Sequence, residues 1–164
     1  MAGRIPDVAE LYARVVLEVA GTNRPAQLAL EGPFDGPAGP FYLASLVYRH
    51  LAASWPVFLE PVAFLAFFED LARHRGGWAG EKRVASLDGD FALRCEYQRA
   101  FRPEVWLHAR LATDAADPYW AAELRLVLCP ESLEELAGRA RSFFTKAAEP
   151  GVAPGPRRQA GSDG

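Results

Sequence analysis

The residues best suited to bind another molecule lie on three segments in which apolar and polar side chains alternate. Alternation of this kind is typical of strands, so every second side chain points to the same face of a sheet. If helices cover the apolar face, the opposite face presents charged residues of both signs, a histidine and a tryptophan: Arg94, Glu96, Trp106, His108, Arg110, Glu123 and Arg125. Because tryptophan and arginine contribute much of the energy of protein interfaces, the pattern predicts a recognition surface. The alternative, and the more common outcome, is a ladder of ion pairs on a solvated sheet face.

A second candidate site surrounds Trp78 and Glu81, beside the glycine-rich stretch 76–80. This stretch is similar to a phosphate-binding loop, but it follows a predicted helix and lacks the required Lys-Ser/Thr pair. We therefore expect a helix cap and a turn, with the Trp78 ring against the end of the helix and its indole N–H bonded to a carbonyl. The functional alternative is a ligand pocket in which Trp78 stacks on the ligand and Glu81 acts as a general acid.

The chain matches no catalytic or metal-binding template. His50, His74 and His108 are far apart in sequence and lack the spacing of metal ligands. No serine or cysteine stands in the sequence context of an activated nucleophile. Cys95 and Cys129 both fall in predicted strands, which favours buried thiols. We expect no catalytic residue, no metal and no cofactor, and the pattern favours a non-enzymatic protein over an enzyme.

Length and composition limit the class of protein. The chain has 164 residues, half of them apolar, with 18 Lys+Arg, 21 Asp+Glu and a net charge of -3. That size suits a single globular domain, and the mild acidity argues against a nucleic-acid binder. No secretory signal and no stretch of ~20 apolar residues is present, so we expect no membrane partner. Two cysteines without a disulfide pattern indicate a cytoplasmic protein.

Two segments have the apolar spacing of helices. The first covers about residues 61–75: Pro61 suits its first position, and Gly76-Gly77 suits its end. We expect Glu69 and Arg73 to pair on its outside, opposite an apolar stripe of Phe64, Leu65, Phe68, Leu71 and Ala72.

The second helix covers about residues 131–147. Ser132 and Glu135 have the spacing of a capping box, and a start one turn earlier at Pro130 is the alternative. Its stripe consists of Leu133, Leu136, Ala137, Ala140, Phe143 and Phe144.

Strands are expected at residues 41–49, 53–60 and 82–87 and in the three alternating segments within 90–98, 104–111 and 120–128. Residues 8–20 fit either a helix capped by Gly21 or one arm of a hairpin that turns through residues 21–25, and their valines favour the hairpin. The order of elements predicts an α+β fold: two layers, with an antiparallel sheet of about six or seven strands and both helices packed on one face. Residues 1–148 form the single domain in this interpretation, and the Pro/Gly-rich residues 149–164 form a disordered tail.

The segment 67–90 resembles a bacterial domain-of-unknown-function family, numbered 6228. The shared features are a Phe-rich helix, the stretch Gly77-Trp78-Ala79-Gly80-Glu81, and Ser86-Leu87-Asp88-Gly89 before a strand. The resemblance extends to Phe143-Phe144 and covers about residues 41–144. Members often carry Gly-His before the strand that begins here at Val105, whereas this chain has Pro103-Glu104. The resemblance implies an α+β fold and supports the N-terminal strands, but it implies no activity.

These observations leave two functional hypotheses. The first is a non-catalytic interaction module that binds a protein partner, or a second copy of itself, through the open sheet face or an edge strand. The second is a small-ligand-binding protein or enzyme with a pocket near Trp78 and Glu81. A deep pocket with convergent polar groups favours the ligand, and a flat face favours the partner.

Overall fold

The chain builds the same succession of elements twice, a four-stranded meander followed by a helix. The computed structural model describes residues 16–22, 25–114 and 116–148. The first half contains β1 (Val16–Ala20), β2 (Ala26–Phe34), β3 (Phe41–Tyr48), β4 (Leu51–Val57) and α1 (Pro61–Arg73). The second half contains β5 (Glu81–Ala85), β6 (Phe91–Gln98), β7 (Glu104–Ala112), β8 (Ala121–Leu128), a 3₁₀ turn (Pro130–Ser132) and α2 (Leu133–Ala148).

The eight described strands form two sheets. The strands lie in chain order, β1-β2-β3-β4 and β5-β6-β7-β8, and all neighbours are antiparallel. The α+β class and the antiparallel pairing are confirmed, whereas the expectation of one sheet with six or seven strands is wrong. Alternation shows which side chains share a face, but it does not show which strands become neighbours, and so it could not reveal the division into two sheets.

The N-terminal ambiguity resolves in favour of the hairpin for residues 16–20. β1 pairs with β2 so that Leu17 lies opposite Leu30 and Val19 opposite Leu28. All four side chains are buried, whereas Val16, which a helix face would also bury, is 41% exposed. Residues 8–15 of the ambiguous segment and the predicted tail, residues 149–164, lie outside the described residues.

Helix α1 begins at Pro61 as predicted and ends at Arg73, two residues before the predicted end. Its buried residues are Phe64, Phe67, Phe68 and Leu71, so Phe67 belongs to the stripe and Leu65 and Ala72 are only partly buried beside it. The expected pairing of Glu69 with Arg73 is wrong. Glu69 instead accepts hydrogen bonds of 2.6 and 3.0 Å from Arg141 of α2, because the outside of α1 faces the other helix at this position.

Helix α2 buries all six residues of its predicted stripe. The helical turn begins at Pro130, the alternative start, and Ser132 lies inside it, where its hydroxyl donates to the Cys129 carbonyl at 2.8 Å. Cys129 follows the last residue of β8 and is exposed, so the prediction of a buried thiol there is wrong. Cys95 is buried as predicted.

Each helix contacts the sheet of the other half. The Phe64 ring of α1 stacks on Phe91 of β6 with centroids 5.9 Å apart. In α2, the rings of Phe143 and Phe144 pack against the Tyr42 ring of β3, with centroid distances of 5.8 and 6.2 Å. One hydrophobic cluster includes buried residues of both helices and both sheets. In the described part of the chain, no helix is both long and apolar enough to cross a membrane.

Candidate functional site on the outer face of the second sheet

The second sheet buries one set of alternating side chains and turns the other set outward. On β6 and β7 the inward residues Phe91, Leu93, Leu107 and Leu111 are fully buried, which fixes the intervening residues on the opposite side. We call that side the outer face. It carries Glu81, Arg83, Arg94, Glu96, Trp106, His108, Arg110, Glu123 and Arg125. The structure therefore brings together all seven residues that the alternation placed on one open face.

Four of these residues form a line across all four strands, which we call the basic row. Arg83 of β5 lies opposite Arg94 of β6, Arg94 opposite His108 of β7, and His108 opposite Arg125 of β8. The row crosses three inter-strand spacings and is therefore about 14 Å long. Arg83 and Arg94 are like charges on directly opposed residues, an arrangement that destabilises a sheet, so this end of the row needs compensation from its surroundings.

Part of that compensation comes from Glu81, which lies in the adjacent line of residues opposite Glu96. Its carboxylate accepts hydrogen bonds from Arg83 at 2.7 and 3.1 Å and from Arg94 at 3.3 Å. Glu81 thus joins the first two arginines of the basic row. Its surroundings are those of a structural ion-pair partner rather than of a general acid.

Trp106 supports the opposite end of the basic row. The guanidinium carbon of Arg125 lies 4.5 Å from the centre of the Trp106 ring, within the range of a cation–π contact. The indole N–H of Trp106 donates to Glu104 at 3.3 Å and so fixes the orientation of the ring. The tryptophan therefore holds a guanidinium group in place on the outer face.

A depression of about 400 Å³ lies over the middle of the outer face. Ala92, directly opposite Arg110, leaves room between the longer side chains that surround it. The polar side chains of its lining are Arg94, His108, Arg110, Glu123 and Arg125. The Arg110 guanidinium of β7 lies 3.7 Å from the Glu123 carboxylate of the neighbouring strand β8. Because guanidinium groups are permanent donors that match carboxylates, the depression is suited to binding anions rather than to proton transfer.

Trp78 and Glu81 lie on different sides of the second sheet. The Trp78 ring packs against the core beside Tyr97, with centroids 5.3 Å apart, and Lys82 lies 5.6 Å above it, whereas Glu81 belongs to the outer face. The buried indole N–H of Trp78 has no hydrogen-bond partner among the described residues, so the expected bond to a carbonyl is wrong. Consecutive residues of β5 point to opposite sides of the sheet, which separates Lys82, beside Trp78, from Glu81.

One polar cluster that the sequence did not suggest connects the two halves. The Lys82 ammonium of β5 donates to the Asp70 carboxylate of α1, and His74 Nδ1 lies 3.1 Å from the same carboxylate. The hydrogen bond from Lys82, together with the positive charges of Lys82, His74 and Arg73, holds the pKa of Asp70 below its usual value. The cluster is an ion-pair link between α1 and the second sheet.

The remaining candidates for chemistry lie apart from the outer face. Burial raises the pKa of the Cys95 thiol to about 12, so it is not a nucleophile at neutral pH. Within the described ranges, no three histidine, cysteine, aspartate or glutamate side chains come together as a metal site. Arg83 is the outer-face residue that sequence reasoning missed. It falls in the predicted strand 82–87, but its place in the basic row depends on the pairing of β5 with β6.

Comparison with known proteins identifies one family. The model of a family of unknown function, DUF6228, matches residues 27–147, which include the basic row, Trp106 and both helices. No curated protein and no solved structure matches the chain.

Proposed function

The chain belongs to family DUF6228, whose function is unknown, and we propose from the site itself that it is a non-catalytic module that binds a protein partner through the outer face. The observation that carries this proposal is the basic row beside Trp106. An arginine line with a tryptophan at its end supplies the residue types that dominate the energy of protein interfaces.

The energetics of the second sheet support a binding role. Replacing one member of a like-charged pair by a neutral residue stabilises an antiparallel sheet, yet the chain places Arg83 directly opposite Arg94 and adds Arg125 to the same line. A binding partner that offers negative charge relieves this repulsion in the complex. Sites that bind or react commonly retain local arrangements that are unfavourable for folding alone.

The chemistry of the depression supports binding more than catalysis. Its polar lining consists of three arginines, His108 and Glu123. An arginine side chain stays protonated in proteins and so does not act as a general base. The Glu123 carboxylate is paired with Arg110. The polar groups that line the depression are thus suited to binding a charged surface of a partner.

Two further properties belong to the proposal. The free thiols of Cys95 and Cys129 suit a reducing compartment, which supports a cytoplasmic location. The net charge of -3 opposes accumulation on nucleic acid, so the proposed partner is a protein. A second copy of the chain is the alternative occupant of the outer face, and the mass of the purified protein in solution distinguishes the two.

The test is a pull-down from native lysate that compares the wild type with Trp106→Ala and Arg110→Ala. Arg73→Ala is the matched control, because Arg73 is a 69% exposed arginine on α1, away from the outer face. We expect the control to retain the partner and each outer-face variant to retain about five-fold less, the effect of losing about 1 kcal/mol of binding free energy. If all four proteins retained the same set of lysate proteins in the same amounts, the proposal would be wrong. Circular dichroism melting curves establish that the variants are folded.

A further inference from the structure

The chemistry of the basic row narrows the kind of partner. The chain as a whole is acidic, with a net charge of -3, yet three of its arginines and a histidine are aligned over about 14 Å of one sheet face. We infer that the outer face binds an acidic protein segment whose carboxylates lie along the basic row, an inference that rests on the proposed function.

The row presents guanidinium groups to solvent. Arg83 is 76% exposed and Arg94 is 49% exposed, so both can contact a partner without a change in the backbone. The described contact between Arg94 and Glu81 involves one of the five guanidinium N–H donors of Arg94. Arg125 is also exposed and is oriented by the Trp106 ring. The guanidinium groups of the row can therefore donate hydrogen bonds to several carboxylates of a partner at once.

The dimensions of the row match an extended acidic segment. Alternate residues of an extended chain point to the same side and are about 6.8 Å apart. Carboxylates at three alternate positions therefore span about 14 Å, which is the length of the row from Arg83 to Arg125. A segment laid across the strands of the second sheet would place one acidic side chain near each end of the row and one between Arg94 and His108.

The borders of the row favour such a narrow ligand over a nucleic acid. Glu81 and Glu96 lie along one side of it, and the line on the other side carries Glu123 paired with Arg110. Neither neighbouring line therefore adds net positive charge to the row. Nucleic-acid binding gains its affinity from contacts with many phosphates, and the flanking carboxylates repel phosphates on either side of the row.

The experiment is an NMR titration of the full chain with an unlabelled peptide in which three glutamates alternate with serines. A glutamine version of the peptide is the first control. We expect shifts for the arginine side chains of the row and for the Trp106 indole N–H, and about a ten-fold higher Kd for the double variant Arg94→Gln/Arg125→Gln. That factor corresponds to two exposed ion pairs of somewhat less than 1 kcal/mol each. Arg73→Gln, the matched control variant, should bind as the wild type does.

The outcomes separate this inference from the proposed function. Equal binding of the glutamate and glutamine peptides, or equal Kd values for the wild type and the double variant, overturns the acidic segment. Tighter binding of an oligothymidylate of about 12 nucleotides than of the glutamate peptide also overturns it, in favour of nucleic acid. If a lysate partner depends on Arg110 but survives about 0.5 M salt and excess glutamate peptide, the inference fails and the proposed function stands. If the peptide binds but no lysate protein depends on Trp106 or Arg110, the proposed function fails.

Discussion

The outer faces of the two sheets differ in chemistry although the two halves share one order of elements. The corresponding face of the first sheet carries two acids, Glu18 and Glu31, and no basic residue among its paired positions. Its other residues there are Val16, Ala20, Gln27, Ala29, Phe34, Phe41, Leu43, Ser45, Val47, Ala52, Ser54 and Pro56. Folding constrains the inward side chains of a strand far more than the outward ones. The contrast between the two faces is therefore where the structure carries functional information.

The inward faces of the two halves, by contrast, are interdependent. Both sheets and both helices contribute to one hydrophobic cluster, and each helix contacts the opposite sheet. The two halves differ in the side chains of their outer faces and share one hydrophobic core. Substitutions in the interior test the shared core, and substitutions on the outer faces test their difference in charge.

The largest effect is expected from Phe64→Ala in α1. The Phe64 ring is fully buried, stacks on Phe91 of the second sheet and lies 6.4 Å from the Phe144 ring of α2. Its removal leaves a cavity where the two halves meet, and we expect a loss of about 3–5 kcal/mol in the free energy of unfolding. Urea unfolding followed by circular dichroism measures it, and Phe64→Leu provides a milder variant with a smaller loss in the same direction.

Phe101→Ala is the matched control for the interior. Phe101 is fully exposed between β6 and β7, so its truncation should change stability by less than about 0.5 kcal/mol. We also expect the Phe64 variants to lower the stability of both halves together in one transition. Two separate transitions, with only one half affected, would show that the halves do not share a core.

A smaller effect is expected where Asp70 of α1 meets Lys82 of β5. Because the pKa of Asp70 is lowered in the folded protein, its carboxylate contributes stability above the unfolded pKa near about 4 and loses it as the pH falls through the folded pKa. Asp70 is partly exposed, so we expect Asp70→Asn to cost about 0.5–1 kcal/mol at neutral pH. The difference between wild type and variant should shrink between about pH 5 and about pH 3.

Unfolding free energies across that pH range provide the measurement. Glu131→Gln, at an exposed carboxylate in the 3₁₀ turn, is the control and should follow the wild type. If the unfolding free energies of Asp70→Asn and the wild type changed with pH in parallel, the ion pair of Asp70 with Lys82 would not stabilise the contact between the two halves.

The fold was predictable where the information is local. The six apolar residues of α2 recur at the spacing of one helix face, and all six are buried. The α+β class follows in the same way from runs of alternation between two helical segments. The division into two sheets and the contact of each helix with the opposite sheet depend on residues distant in sequence. No periodicity within a segment encodes them.

The candidate site shows the same limit. Alternation along each strand placed Trp106, His108 and Arg110 on one face without knowledge of the pairing. The basic row, in contrast, exists only because the register aligns Arg83 with Arg94 and His108 with Arg125. Trp78 and Glu81 are close in sequence, which suggests one site, but β5 begins at Glu81 and directs Lys82 to the Trp78 side and Glu81 to the other.

The smallest effect tests the difference between the outer faces directly. His108→Arg places a permanently charged side chain between Arg94 and Arg125, and we expect a loss of about 0.5 kcal/mol at low salt. The matched variant Ser45→Arg lies on β3, where its opposed residues are Ala29 and Ser54 and the charged residues of the face are Glu18 and Glu31. Added salt should therefore stabilise His108→Arg relative to the wild type, because screening weakens the repulsion, and should slightly destabilise Ser45→Arg. Thermal unfolding at about 50 mM and about 1 M salt measures both. If added salt changed the stability of both variants in the same way, the two faces would not differ in electrostatic potential. That result would contradict the inference that the basic row attracts an acidic partner.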